Sequence, residues 1–311
     1  MSEELKSGSR LEKILRSGKF AVTGECGPPR GADPEVIHKK CSLLKDKADA
    51  FNITDNQTSV VRMSSISSAV IMMQQGLEPV MQMVCRDRNR IAIQSDILGG
   101  AALGIKNMLC LSGDHQKFGD HPQAKNVFDL DSIQLINTVK TMRDDGKFLS
   151  GDDIKGAPKL FIGAAENPFA DPFEIRAPRL GKKVAAGVDF IQTQCIFNLS
   201  KFELWMKQVV DMGLHEKVFI LGGVTPFKSF GMARYMANNV PGMDVPDELL
   251  QRMKNTPKEK QAEEGITIAV ETIKKLQEIK GIAGVHIMAI EWEEKVGELA
   301  DKAGLLPRPV L

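Results

Sequence analysis

"NMLCLSGDHQKFGDHP", residues 107–122, opens as a strand and ends as something else. Its apolar residues run into Ser112-Gly113-Asp114, and a polar loop with two histidines follows. "DSIQLINTVKTMRDD" (131–145) then takes up helical spacing. Strand, turn, loop and helix in that order make one βα unit.

The same unit recurs outward in both directions. Candidate strands lie at 20–26, 50–55, 79–85, 159–165, 189–197, 217–224 and 284–290, which with 107–113 makes eight. Helical spacing fills the gaps. "DPEVIHKKCSLLKDK" (33–47) begins with Asp33 as a cap and Pro34 at the first helical position. "LSKFELWMKQVVDMG" (199–213) offers Ser200 as its cap, and 246–280 reads as one or two helices ended by Gly281. Several strands are apolar on consecutive residues, the pattern of a sheet buried on both faces. Eight such units predict an α/β fold, a (β/α)8 TIM barrel, spanning 1–311 as a single domain with an N-terminal helix. An open doubly wound sheet is the competitor, but no GxGxxG follows the first strand. The stretches 114–130 and 237–265 read as loops or short helices attached to the barrel.

The totals narrow the function. Lys and Arg number 41 against 40 Asp and Glu, a balance that argues against a nucleic-acid surface or a basic membrane patch. No apolar run approaches the roughly 20 residues of a membrane span. The opening "MSEELKSGSRLEKILRSGKF" lacks the apolar core of a signal peptide. The five cysteines form no CxxC pair and read as buried thiols of a cytoplasmic protein.

A barrel of this kind builds its site at the carboxyl ends of its strands. There the sequence delivers Glu25, Thr54, Gln82, Ser112-Gly113-Asp114, Glu166-Asn167, Gln192 and Gln194, and Thr225. Glu25 and Gln194 stand out, each flanked by apolar strand sequence. No GxSxG elbow, HExxH helix or phosphate loop occurs. His115 and His121, with Asp114 and Asp120 beside them, read as a solvated loop, so no metal site is expected. Acids, amides and glycines around a pocket suit a large polar planar ligand and proton transfer, with the electron chemistry left to a cofactor.

"GECGPPR" (24–30), "LCLSGDH" (109–115), "GKKVAAGVDFIQTQCIFN" (181–198) and "GGVTPFKSF" (222–230) resemble, in the same order, the motifs of the methylenetetrahydrofolate reductase family. The resemblance implies a flavin-bearing barrel that reduces 5,10-methylenetetrahydrofolate to 5-methyltetrahydrofolate in one-carbon metabolism. It puts Glu25 on the catalytic general acid and Asp114 on an aspartate between flavin and pterin. Gln194 falls on a folate-binding glutamine, and Phe230 on an aromatic that packs against substrate or nicotinamide. Thr54, Gln82, Ser112, Gly113, Phe128 and Lys183 fall on flavin-contacting positions, with Gly113 expected to let backbone approach the flavin closely. The polar loop after Gly113 is expected to wrap the cofactor.

The chain also departs from the family pattern. Gly24-Glu25-Cys26-Gly27 stands where many relatives have F-E-F-F-P-P, Gln82 replaces a histidine, and Ser112 an arginine. Arg176 and Arg179 replace an acid and an amide. If the segment is helical, Arg176, Arg179 and Lys183 share one face, unless Pro178 starts the helix and leaves Arg176 just outside it. A phosphate monoester is close to a dianion at neutral pH, so these cations favour FMN, with FAD the alternative. The electron donor is expected to be NAD(P)H or a protein, and the altered positions predict poor NADH oxidation by this chain alone, improved by a partner. The resemblance adds a metal-bearing partner subunit and an oligomer to the expected partners. The alternatives are a pterin-binding methyl-transfer barrel without flavin, and a subunit active only within an electron-transferring complex.

Overall fold

The computed structural model describes residues 4–240 and 242–310. Eight parallel strands close into a barrel in sequence order. They are β1 (Ala21–Cys26), β2 (Ala50–Ile53), β3 (Pro79–Val84), β4 (Asn107–Leu111), β5 (Phe161–Glu166), β6 (Phe190–Cys195), β7 (Phe219–Val224) and β8 (Ile282–Ile287). Helix α1 (Arg10–Arg16) precedes them. Between successive strands run α2 (Glu35–Leu44), α3 (Ser65–Gln74), α4 (Arg90–Ala102), α5 (Ser132–Lys140), α6 (Arg176–Ala186) and α7 (Leu199–Asp211). The last crossover carries α8 (Phe230–Asn239), α9 (Asp247–Asn255) and α10 (Gln261–Glu278), and α11 (Lys295–Lys302) follows β8. The expected TIM barrel is therefore the observed one, and no described helix is long and apolar enough to cross a membrane.

Alternation along the strands sorts the residues into layers. Val22, Phe51, Met81, Met108, Ile162, Ile191, Ile220 and Val285 pack outward against the helices. Inside, Ala21, Ala50, Val80, Leu109, Phe161, Phe190 and Leu221 form an apolar floor. Leu11, Ile14 and Leu15 of α1 join that floor, so the amino-terminal helix plugs the lower end of the barrel. Two residues further along β1, β2, β3 and β6 the interior turns polar, at Thr23, Asn52, Gln82 and Gln192.

Local boundaries differ from the expected ones at three helix ends. Asp33 does accept from the Glu35 N–H at 2.9 Å, but the helix starts one residue later, after Pro34. Asn198, not Ser200, caps α7, accepting from the Lys201 N–H at 3.0 Å, and Ser200 lies within the first turn. The stretch 246–280 is two helices, α9 and α10, separated by a 3₁₀ turn, and α10 stops at Glu278, before Gly281.

Candidate active site

A cavity of about 460 Å³ opens at the carboxyl ends of the strands. Its wall includes Glu25, Gln82, Ser112, Gln194, Arg176, Arg179 and Lys183, so seven of the residues singled out in the sequence meet in one place. They come from β1, β3, β4, β6 and α6 and the turns that follow.

Below them lies a buried polar layer. The Asn52 Nδ2 donates to Gln192 Oε1 at 2.6 Å, and Gln192 Nε2 donates to Asn52 Oδ1 at 3.0 Å and to Thr23 Oγ1 at 3.1 Å. Thr23 Oγ1 in turn lies 3.0 Å from Nδ1 of His286. All four side chains are buried, and burial pushes the His286 imidazole down to about 3, so it is neutral. Each polar group is thus answered inside an otherwise apolar barrel, which a buried amide requires. Thr23 and His286 escaped the sequence reading because it looked only at strand ends. Period two was the missed signal: each lies one step inside the barrel mouth, Thr23 before Glu25 and His286 before Met288.

Glu25 is half-buried at the mouth and has no hydrogen-bond partner among the described residues. Burial, reinforced by the charge of Glu293 and opposed by Lys40, pushes its carboxyl up to about 7. It can hold or release a proton near neutrality. Gln194 Oε1 accepts from the Cys195 N–H at 3.2 Å, which leaves its amide nitrogen free to donate.

The cationic wall is built on α6. The helix begins at Arg176, and Pro178 sits in its first turn, where no intrahelical N–H is needed. Lys183 is buried and donates to Glu166 Oε2 at 2.7 Å and to the Ala165 carbonyl. Burial, with Arg179 and Arg176 nearby, lowers its pKa against the pull of Glu166. Arg176 donates to the Asp171 and Pro172 carbonyls at 2.8 and 3.3 Å, whereas Arg179 is exposed and without a protein partner among the described residues. Thr54 adds a second free polar group, since its buried Oγ1 has no hydrogen-bond partner. The free guanidinium on the cavity wall suits a phosphate-bearing ligand, whereas Thr54 is buried away from that wall.

Four of the singled-out residues besides Thr54 lie off the cavity wall. Asp114 is exposed, and its carboxylate accepts from the Thr58 N–H at 3.1 Å. Its carbonyl is held by Arg86 at 3.0 Å and by Ser59 Oγ at 2.9 Å, which turns the residue toward the β2–α3 loop. Phe128 is 41% exposed, with its N–H on the Cys85 carbonyl at 3.2 Å. Phe230 opens α8 and stacks beneath Arg234. Gly113 takes φ +91°, and a Cβ there would come within 3.0 Å of Val84 Cβ. The glycine is thus demanded by packing against β3. The polar loop beyond it closes on the β2–α3 loop, where a Cβ at Gly119 would overlap the Ser59 carbonyl.

No cluster of metal-ligating side chains occurs among the described residues. His121 pairs with its neighbour Asp120 at 3.0 Å, and His115 caps a short turn. A larger cavity, about 830 Å³, lies at the opposite end of the barrel. Four of its charged residues are spent on structure: Asp49 pairs with Arg10 and Arg308, and Glu78 accepts the Arg10 and Leu11 N–H groups.

Against known proteins, the family model described as methylenetetrahydrofolate reductase matches residues 10–304. Methylenetetrahydrofolate reductase 2 of Schizosaccharomyces pombe is 24% identical over 73% of this chain and 36% of its own length. A Caenorhabditis elegans protein named probable methylenetetrahydrofolate reductase (NADPH) is 20% identical over 95% of this chain and 44% of its own. The chain spans less than half the length of these relatives. Among solved structures, an uncharacterized Clostridium thermocellum protein that binds two copies of 5-methyl-5,6,7,8-tetrahydrofolic acid aligns with a TM-score of 0.63. It covers 96% of this chain and 100% of its own at 13% identity, a likeness of fold.

Proposed function

The chain belongs to the methylenetetrahydrofolate reductase family, and from that premise we propose that it reduces 5,10-methylenetetrahydrofolate to 5-methyltetrahydrofolate with the help of a bound flavin. The observation that carries this reading is Glu25, a carboxyl held near its protonation midpoint at neutral pH on the wall of a polar cavity. The flavin, when bound, supplies the hydride. Glu25 protonates the nitrogen that leaves as the five-membered ring opens, so that the one-carbon unit can accept the hydride. Gln194 donates from its amide nitrogen to the pterin, and the layer of Asn52, Gln192, Thr23 and His286 keeps the cavity floor rigid.

Arg179, without a protein partner among the described residues and on the cavity wall, is the group offered to the cofactor's phosphate, and FMN is favoured over FAD because the α6 cations suit a concentrated phosphate charge. The electron donor in this reading is NAD(P)H or a protein partner, and the redrawn residues around Glu25, Gln82 and Ser112 favour the partner. Folate as ligand is in keeping with the Clostridium thermocellum protein.

The purified protein should show a flavin absorbance spectrum and oxidise or reduce that flavin with the folate pair. Glu25→Gln should lower turnover by roughly 10²–10⁴ while leaving flavin content unchanged. A colourless protein that binds folate would turn the reading toward methyl transfer. Rapid reduction by NADH alone would remove the need for a partner.

A further inference from the structure

On the seam where β8 closes against β1, Lys40 of α2 reaches two groups at once. Its Nζ lies 2.5 Å from Glu293 Oε1, in the turn after β8, and donates to the Gly27 carbonyl at 3.0 Å. Gly27 is two residues beyond Glu25 on the exit of β1. Glu293 is buried, and Val296 of α11 lies against Gly24 of the same strand. The ion pair is therefore a fixed clasp between the strand that carries Glu25 and the turn that follows its neighbour in the barrel.

We infer that Lys40 and Glu293 are positioning residues that hold the β1 exit and set the protonation of Glu25 through opposed charges. This rests on reading Glu25 as the proton donor. The other titratable groups near Glu25 cannot change charge across the working range. Cys26 on its own strand and Cys195 on β6 are both pushed up to about 12, and His286 on β8 is pushed down to about 3. What remains is Glu293, which raises Glu25, and Lys40, which lowers it, with the glutamate the stronger. An unpartnered lysine there would favour the ionised carboxylate and strip the donor of its proton. Paired with Glu293, Lys40 keeps its bond to Gly27 while its pull on Glu25 is offset.

The test is an infrared or ¹³C-NMR titration of the Glu25 carboxyl in the resting full-length protein, identified by its loss in Glu25→Gln. Glu293→Gln should move that titration down and Lys40→Met should move it up, each by about one unit, and Lys40→Arg should restore it. The acid-to-base limb of the turnover profile should move with it. Shifts of the same sign in the two variants, or no shift in Glu293→Gln, overturn the inference. If Lys40→Met does not fold, the Glu293→Gln titration decides. Because the titration needs no turnover, opposite shifts in a protein inactive toward folate would uphold the clasp and sink the proposed reaction instead.

Discussion

Lys183 and Glu166 form a buried ion pair, 2.7 Å between Nζ and Oε2, at the wall of the cavity. Lys183 also donates to the Ala165 carbonyl, so two of its three N–H donors are committed to β5. Of the three α6 cations that line the cavity it is the structural one. Removing one partner of a buried pair leaves an unpaired charge and costs about 3–5 kcal/mol, whereas replacing both by neutral groups costs much less. Lys183→Met should therefore lower stability in urea by that amount, and Lys183→Met combined with Glu166→Gln should recover most of it. Equal losses for the single and double variants would mean that an unpaired Glu166 is not the cause, and no loss in either would assign Lys183 to ligand binding alone.

Glu25 links the site to stability. Its ordinary pKa of 4.5 is raised to about 7 in the fold, so between those values the folded chain holds a proton that the unfolded chain has lost. Stability from this group is full below about 4.5 and is lost as pH rises through about 7. His286 runs the other way: lowered from 6.5 to about 3, it removes stability as pH falls through that window. Urea melts at acid and mildly alkaline pH should show Glu25→Gln gaining on the wild type as pH rises. The linkage limit of the gain is on the order of 3 kcal/mol. A constant difference across pH would mean that Glu25 is not raised.

Gly113 makes the fold's demand at the end of β4 measurable. Its φ of +91° is a conformation that an L side chain rarely adopts, and an added Cβ would press on Val84 and Arg86. Gly113→Ala should cost roughly 1–3 kcal/mol and lower the melting temperature. Flavin lost in proportion to unfolding would mark the glycine as structural. Flavin lost from a fully folded variant would instead support the close backbone approach expected from its motif.

The barrel was legible because several strands are apolar on consecutive residues and all eight are followed by turn formers or helical spacing. Phe161 to Glu166 and Phe190 to Cys195 differ from the expected runs only at their margins. The site was legible where a polar residue interrupts an apolar strand, as at Glu25 and Gln194. It was not legible where function depends on closure of the ring. Nothing near Lys40 in the chain announces Glu293, because only the β8–β1 pairing brings them together. Asp114 illustrates the opposite limit: its motif was evident, but Arg86 and Ser59 decide which way its loop faces.

Arg176 and Arg179 carry the remaining prediction, that the cofactor is FMN. Both line the cavity from the first turns of α6, and Lys183 cannot substitute for them while it is tied to Glu166. Arg176 already spends donors on the Asp171 and Pro172 carbonyls, so Arg179 is the freer of the two. A phosphate monoester near its dianionic form would use a guanidinium fork more fully than a diphosphate diester, whose charge is spread. Arg179→Gln should release flavin more readily on dilution than Arg176→Gln, with little change in melting temperature measured on the flavin-free protein. The double variant should lose it most. Cofactor released by heat should comigrate with FMN. Recovery of FAD at one per chain, or full flavin retention by the double variant, would return both arginines to the solvent.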